Sequence, residues 1–485
     1  MCSERLGNWW LYFGSEARIQ IGRCVCLVGL AADVESAEPV RFAELERSYA
    51  LGGLDGLLDY TDRLVGRFLV LVEDDGGLSV VPDGWGSLQA FWANSRSGPS
   101  AVSSSPGLLR DLGFGALAQC DRARSRNEAQ AKALEYRSVG DLCPISGTRR
   151  VRSNHVLELS VGRAARLPLR HRRATFEEVT AELGRAIRGL QLAHGGESWL
   201  PITAGLDSRW LAVAASVAGA EPLLFTFTPD HEPTPDATIG AEIADRLGAE
   251  HANIALPERV SQSVRDDVTA VRGAWRDLPK MAEIEYLSSL GKRILVLNGN
   301  GGEIVRGGYY GTGPRPISRR LVRSLCLGPH PSTFDRDGFD RWFASLASLP
   351  AERRVDLDEL FYWEQRMSNW GSDFYAEKDN YVDELSPFCC RRILRTGPAL
   401  AGRRHRIRVA EALASQPLLQ GVPINPHERS GALREYAYVK AIANVGRDFV
   451  PSGARPAVSG GDQPELPPHT DTSRPQPIEH SSIRT

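Results

Sequence analysis

The sequence has almost no lysine: five residues (Lys132, Lys280, Lys292, Lys378 and Lys440) stand among 58 basic ones, and the rest are arginine. Arginine keeps its charge under all working conditions, so chemistry that needs a compact ammonium group has only those five places to use. An excess of charge of either sign is missing too, because 58 Lys and Arg against 60 Asp and Glu leave a net charge of -2. Without a basic excess, neither phosphate backbones nor anionic membranes are expected partners. No run of about 18 apolar residues occurs without a charge, so no membrane span is expected. The opening MCSERLGNWW lacks the basic stretch and apolar run of a secretory signal. A soluble cytoplasmic protein is the expectation. The eight cysteines form no CxxC pair and lie apart from any histidine cluster, which argues against a zinc site or a disulfide framework and for free thiols.

The 485 residues suffice for two or three domains at roughly 150 residues each. From about Asn8 to Leu167 the text is strand-like and rich in turns. RFLVLVED and LSVV, separated by Asp-Gly-Gly, predict a hairpin. Helical stretches interrupt near Phe42 to Tyr49 and Asn127 to Tyr136, giving an α+β domain with layered sheets. After Thr175 helices alternate with short apolar strands: FEEVTAELGRAIRGLQLA, WLPI, SRWLAVAASVAGA, LLFTFT, DATIGAEIADRLGA, NIAL and RILVL. That alternation predicts an α/β domain with a parallel sheet and crossover helices, whose ligands bind at the carboxyl ends of the strands. From Pro451 onward seven prolines and few large apolar side chains predict a disordered tail. The boundaries expected are 1–172, 173–447 and 448–485.

Two strand-end loops carry the chemistry. WLPI enters Thr203-Ala204-Gly205-Leu206-Asp207-Ser208, and a helix begins near Ser208. Small residues at a helix N-terminus, with hydroxyls beside them, make a cradle for phosphate. The lysine of a GxxxxGK[ST] loop is missing. Asp207 would repel a phosphate unless a divalent cation lay between them, which points to magnesium. RILVL likewise runs into Asn298-Gly299-Asn300-Gly301-Gly302-Glu303. On one parallel sheet the two loops would set Asp207 and Glu303 about one metal ion apart. Either loop alone could be a capped strand-to-helix turn; the two in this order make that less apt.

With these loops on one chain, the sequence resembles the asparagine synthetase family, whose synthetase domain is an ATP-pyrophosphatase marked by S-G-G-x-D-S. The match runs through Thr203 to Ser208, Phe225-Thr226-Phe227-Thr228 where the family binds adenine, the helix from Asp236 to His251, the run Gly299 to Tyr309, and Ser386-Pro387-Phe388. It covers about residues 175 to 445. The resemblance implies ATP and Mg2+ as cofactors, with Asp207 and Glu303 as metal ligands and Gly299, Gly301 and Gly302 in the second loop of the nucleotide site. Glu303 stands where the family has aspartate, and Asn300 stands where it has an acidic residue near the reacting groups. Lys440, 53 positions after Pro387, corresponds to the lysine the family keeps at the α-phosphate, and Lys378 is the fallback. An exposed helix lysine is the plain alternative for Lys440.

The first half resembles the family's glutaminase domain, an Ntn-hydrolase-like sandwich, through Leu64-Val65-Gly66-Arg67-Phe68 and Asp83-Gly84-Trp85-Gly86. Cys2 sits where a glutaminase has its N-terminal nucleophile. Five residues, Ser3 to Gly7, intervene before the first apolar run, and the Asn-Gly-Glu segment that binds glutamine is not recognisable. A glutaminase-like scaffold without activity is therefore expected. The resemblance as a whole implies an amide-forming carbon–nitrogen ligase that releases AMP and pyrophosphate, joining a small-molecule or peptide carboxylate to an amine or ammonia. A β-lactam or lasso-peptide type of cyclase is the alternative within the class, and a non-catalytic nucleotide-binding scaffold the alternative outside it. A homodimer is the assembly that would fit. His155, His231 and His251 read as surface or core histidines.

Overall fold

The computed structural model describes residues 2–94, 100–115, 140–143, 145–170, 172–229, 234–272, 278–306, 323, 333–348, 360–396 and 409–425. The helix expected over Asn127 to Tyr136, Tyr309, Lys440 and the tail 448–485 lie outside the described residues.

The first half is built of antiparallel strands. β1 (Cys2–Leu6) and β2 (Trp9–Phe13) pair as a two-stranded sheet. A seven-stranded sheet contains β3 (Ile19–Ile21), β4 (Val25–Asp33), β5 (Glu38–Pro39), β6 (Leu64–Asp74), β7 (Gly77–Pro82), β11 (His155–Glu158) and β12 (Arg163–Arg166). A three-stranded sheet contains β8 (Phe91–Asn94), β9 (Ser100–Ser103) and β10 (Thr148–Arg150). The β6–β7 hairpin closes on Asp75 (φ 47°) and Gly76 (φ 80°), a two-residue left-handed turn that matches strand twist, so Gly77 already belongs to β7. Alternation along β6 separates the layers: Phe68, Val70 and Val72 pack toward helix α1 (Phe42–Thr61), whereas Leu69 and Leu71 pack with Ala90, Trp92 and Val151 on the other face. The helix expected to end near Tyr49 runs on to Thr61, with a kink at Gly53.

The second half holds a five-stranded, all-parallel sheet: β13 (Ser198–Pro201), β14 (Leu223–Thr228), β15 (His251–Ala255), β16 (Leu295–Leu297) and β17 (Asp383–Leu385), in the order β15-β14-β13-β16-β17. Helix α2 (Phe176–His194), which leads into β13, and the crossover helices α3 (Leu206–Val217) and α4 (Pro235–Leu247) pack on it. α2 starts at a capping box, where Glu178 N–H donates to Thr175 Oγ1 and Thr175 N–H donates to the Glu178 carboxylate, and it ends at left-handed Gly195. The chain is thus mixed α/β with one parallel sheet and several antiparallel ones. One apolar core joins the halves, with Leu30, Val34, Val65 and Trp85 packed into the same cluster as Leu183, Ile187 and Trp210.

A π-helix, Tyr362–Gly371, adds a polar seam to that junction. Such helices are rare and mostly occur as single turns, often at functional sites. Here Glu364 pairs with Arg166 of β12, Trp363 Nε1 donates to Gly84 O (2.9 Å), and Ser153 N–H donates to Ser368 Oγ (3.1 Å). Among the described residues no helix is long and apolar enough to cross a membrane.

Candidate functional site

Strand order fixes where the site lies. The chain leaves β13 for β14 and β15 on one side, then returns to β16 on the other. The loops after β13 and β16 therefore leave the sheet at its switch point, at the carboxyl end where parallel sheets bind their ligands. These are the two loops that the sequence singles out.

The first loop turns into α3 at Gly205, an extended residue (φ -70°, ψ 167°) with no side chain to cap the helix. Its own donors are largely taken. Thr203 N–H donates to Ser208 Oγ (3.2 Å), Gly205 N–H to Thr203 Oγ1 (3.1 Å), and Ala204 N–H to Asp236 Oδ1 (2.9 Å). The hydroxyls of Thr203 and Ser208 bond each other at 3.0 Å. The cradle expected over Thr203 to Ser208 is therefore closed on itself. A phosphate would use the amides that begin α3 at Leu206 and Asp207, or would displace Asp236.

The second loop is held from below. Asn298 Nδ2 donates to Glu384 Oε1 (2.6 Å), and its Oδ1 accepts from Tyr375 Oη (2.9 Å) and from Asn300 N–H (3.0 Å). Ser386 Oγ donates to Asn300 O (2.7 Å), which gives the Ser386-Pro387-Phe388 segment a structural task. Gly301 lies at φ 84° against the Trp85 ring, where any Cβ would overlap the indole. A Cβ on Gly302 would stand 2.5 Å from Asp207 Oδ1. The missing side chain lets the two loops close on each other.

Asp207 and Glu303 do come together, though with a third charge between the loops. Helix α5 (Gly302–Arg306) carries Glu303 and, three residues on, Arg306. Arg306 Nε donates to Asp207 Oδ1 at 2.7 Å and Nη2 to Oδ2 at 2.9 Å, so one guanidinium covers both oxygens. Burial opposes the charge on Arg306, but the attraction of Asp207 outweighs it and holds the guanidinium protonated. Glu303 is half-buried, yet its Oε2 is shut from solvent and has no hydrogen-bond partner. Burial, and then the charge of Asp207, push its carboxyl up to about 7 against the pull of Arg306.

Whether magnesium fits can be judged from these donors. Glu303 Oε2 is a buried acceptor without a donor, as a metal ligand would be, whereas both oxygens of Asp207 are engaged until Arg306 moves. Among the described residues no group of three or more His, Cys, Asp or Glu is set to hold a metal. A cation here would take two carboxylates and complete its shell from phosphate oxygens and water, which is how magnesium usually binds.

The remaining expected residues scatter. Phe225 is buried between Trp199 and Phe227, and Thr226 Oγ1 donates to Ile202 O (2.7 Å). Thr228 is buried as well, which leaves Phe227, half-exposed, as the side chain of that segment open to an adenine. Lys378, the fallback lysine, is buried beneath the second loop, 2.5 Å from Glu384 Oε2 and over the Phe374 ring. Cys2 is exposed at the start of the β1–β2 hairpin. His155 is a core histidine, bonded to Ser153 O and held neutral first by burial and then by Arg152. His251 is half-buried beside Thr226, and His231 lies outside the described residues. Three contacts are not given by the matched motifs themselves: Asp236, at the head of α4, on the Ala204 amide; Trp85 against Gly301; and Arg306 on Asp207. Only Arg306 carried a signal, its position one helical turn after Glu303.

No protein-family model matches the chain, and no curated protein matches it. Among solved structures, the U34-tRNA thiolase NcsA from Methanococcus maripaludis, described with its 4Fe-4S cluster, covers 51% of this chain and 90% of its own. Its identity is 11% and its TM-score 0.20, a likeness that carries no argument about fold or function.

Proposed function

We propose that the chain is an ATP-dependent amide-forming ligase of the asparagine synthetase type, with an ATP-pyrophosphatase domain behind a glutaminase-like, Ntn-hydrolase-type scaffold. One observation carries the reading: two strand-end loops at the switch point of a parallel sheet, the second of them glycine-rich, bring Asp207 and Glu303 together. In this reading the amides opening α3 bind phosphate oxygens, Phe227 lies against the adenine, and Asn300 faces the reacting acid and amine. Bound magnesium would neutralise charge on the pyrophosphate. Asp207 and Glu303 would hold it, and the buried Glu303 Oε2 excludes competing water from that side. A carboxylate substrate then attacks the α-phosphorus and becomes an acyl-adenylate as pyrophosphate leaves, and an amine or ammonia attacks its carbonyl carbon and displaces AMP. The contribution of the protein is mainly positioning and fixed charge. Lys440 is the lysine proposed for the α-phosphate, with Lys378 the fallback at the second loop.

The five residues between Cys2 and the first apolar run, and the missing Asn-Gly-Glu segment, favour an amine supplied by the substrate, as in a β-lactam or lasso-peptide type of ring closure, over ammonia drawn from glutamine. The test is exchange of labelled pyrophosphate into ATP in the presence of candidate acids. Exchange is expected in the wild type and not in Asp207→Ala. Exchange at wild-type level in that variant would refute the assignment.

A further inference from the structure

We infer that Arg306 is a latch on the metal site: its guanidinium occupies the Asp207 carboxylate and gives it up to a divalent cation only when polyphosphate oxygens take the guanidinium over. The inference rests on the magnesium–nucleotide reading above and concerns the order in which the charges exchange.

The geometry carries it. Both Asp207 oxygens accept from one guanidinium, at 2.7 and 2.9 Å, and the two side chains are 16% and 15% exposed, so little water competes. A two-pronged, charge-assisted contact of this kind is among the stronger hydrogen-bonded pairs. Yet the arginine is an incomplete substitute for a cation. Its planar fork matches one carboxylate, and the neighbouring Glu303 Oε2 stays buried without a donor. A divalent ion would serve both groups.

No third protein ligand stands ready among the described residues, so metal arriving alone meets one open carboxylate oxygen, Glu303 Oε2, on a group that also takes a hydrogen bond from Tyr362. A polyphosphate changes both terms. It offers the guanidinium a bidentate partner of equal fit, and it brings oxygens that complete the metal shell. Arg306 sits one turn from Glu303 on α5, so its side chain can transfer while the loop stays in place. Metal binding thereby becomes conditional on polyphosphate.

Manganese serves as the probe, read by electron paramagnetic resonance on the full chain, with and without inorganic tripolyphosphate. The wild type is expected to hold Mn2+ weakly alone and to bind one ion tightly once tripolyphosphate is added. Arg306→Met is expected to bind one Mn2+ without tripolyphosphate about tenfold or more tightly than the wild type, the scale of one charge-assisted contact. Adding Asp207→Asn to it should abolish that gain. Equal Mn2+ affinity of wild type and Arg306→Met in the absence of tripolyphosphate overturns the latch, as does a gain that survives Asp207→Asn. Should Arg306→Met fail to fold, the wild type decides alone: equal Mn2+ binding with and without tripolyphosphate overturns the latch. Loss of pyrophosphate exchange beside the expected manganese results would refute the ligase reading and leave the latch standing. Equal manganese binding in an exchanging enzyme refutes only the latch.

Discussion

Replacing Glu303 with glutamine should change how stability depends on pH. Glu303 holds a carboxyl moved from an ordinary 4.5 to about 7, first by burial and then by the neighbouring charge of Asp207. Below pH 4.5 the group is protonated whether the chain is folded or not, and it costs nothing. Between 4.5 and 7 the unfolded chain gives up the proton while the folded one keeps it, so stability falls as pH rises. Above 7 the folded protein must house a carboxylate beside Asp207, and the full cost is in place. At about 1.4 kcal/mol per pH unit, that cost is roughly 3 kcal/mol. Glutamine has the same shape and no charge to lose. Urea unfolding of wild type and Glu303→Gln at pH 5, 6, 7 and 8 should give a difference that starts at about 1 kcal/mol or less and grows to roughly 3 kcal/mol in favour of the variant. Taking the difference removes titrating groups that do not interact with Glu303, such as Asp383, which is held low by His194 and two arginines despite its burial. A difference that stays constant with pH, or a wild type more stable than the variant at pH 8, would show that the Glu303 carboxyl is not raised in the folded protein.

Gly301→Ala combines a left-handed backbone with an overlap against Trp85, and a loss of about 2–4 kcal/mol in unfolding free energy is expected. A loss under 1 kcal/mol would show that the loop and the indole are not in contact. Glu364, fully buried, pairs with Arg166 and accepts from Trp342 Nε1 at 2.8 Å, so Glu364→Ala should cost roughly 3–5 kcal/mol in the same assay. The double replacement Arg166→Met/Glu364→Leu should cost less, because it leaves no unpaired buried charge. Cys2→Ala should leave product formation unchanged, and neither form should release glutamate from glutamine. Glutamate release that disappears in Cys2→Ala would restore the glutaminase.

The parallel sheet was legible because its strands are short apolar runs separated by helices with a clear apolar face, such as Ile239 and Ile243 on α4. The loops were legible because small residues and carboxylates cluster at strand ends. What the residues do to one another was not. Nothing in the spelling of the first loop says that Asp236, 32 positions on, would take the Ala204 amide. Trp85 belongs to a turn of the first half, and its place against Gly301 follows from the packing of the two halves. Arg306 sits inside a run that reads as loop, and its pairing with Asp207 needs the two strands to be neighbours. The segment Tyr362–Gly371 has the composition of an ordinary amphipathic helix, so its π form has no local signature. The scarcity of lysine narrows the question of the α-phosphate to Lys440 and Lys378, and Lys378 is already paired with Glu384.

The proposed function requires that the site between the two loops cleave ATP to AMP while joining an acid to an amine. Mass spectrometry of the nucleotide and acid products, with a pool of candidate carboxylates and amines, tests it most directly. AMP is expected one for one with a ligated product, and neither in Asp207→Ala. Formation of ADP, or of AMP at the same rate in Asp207→Ala, would contradict it.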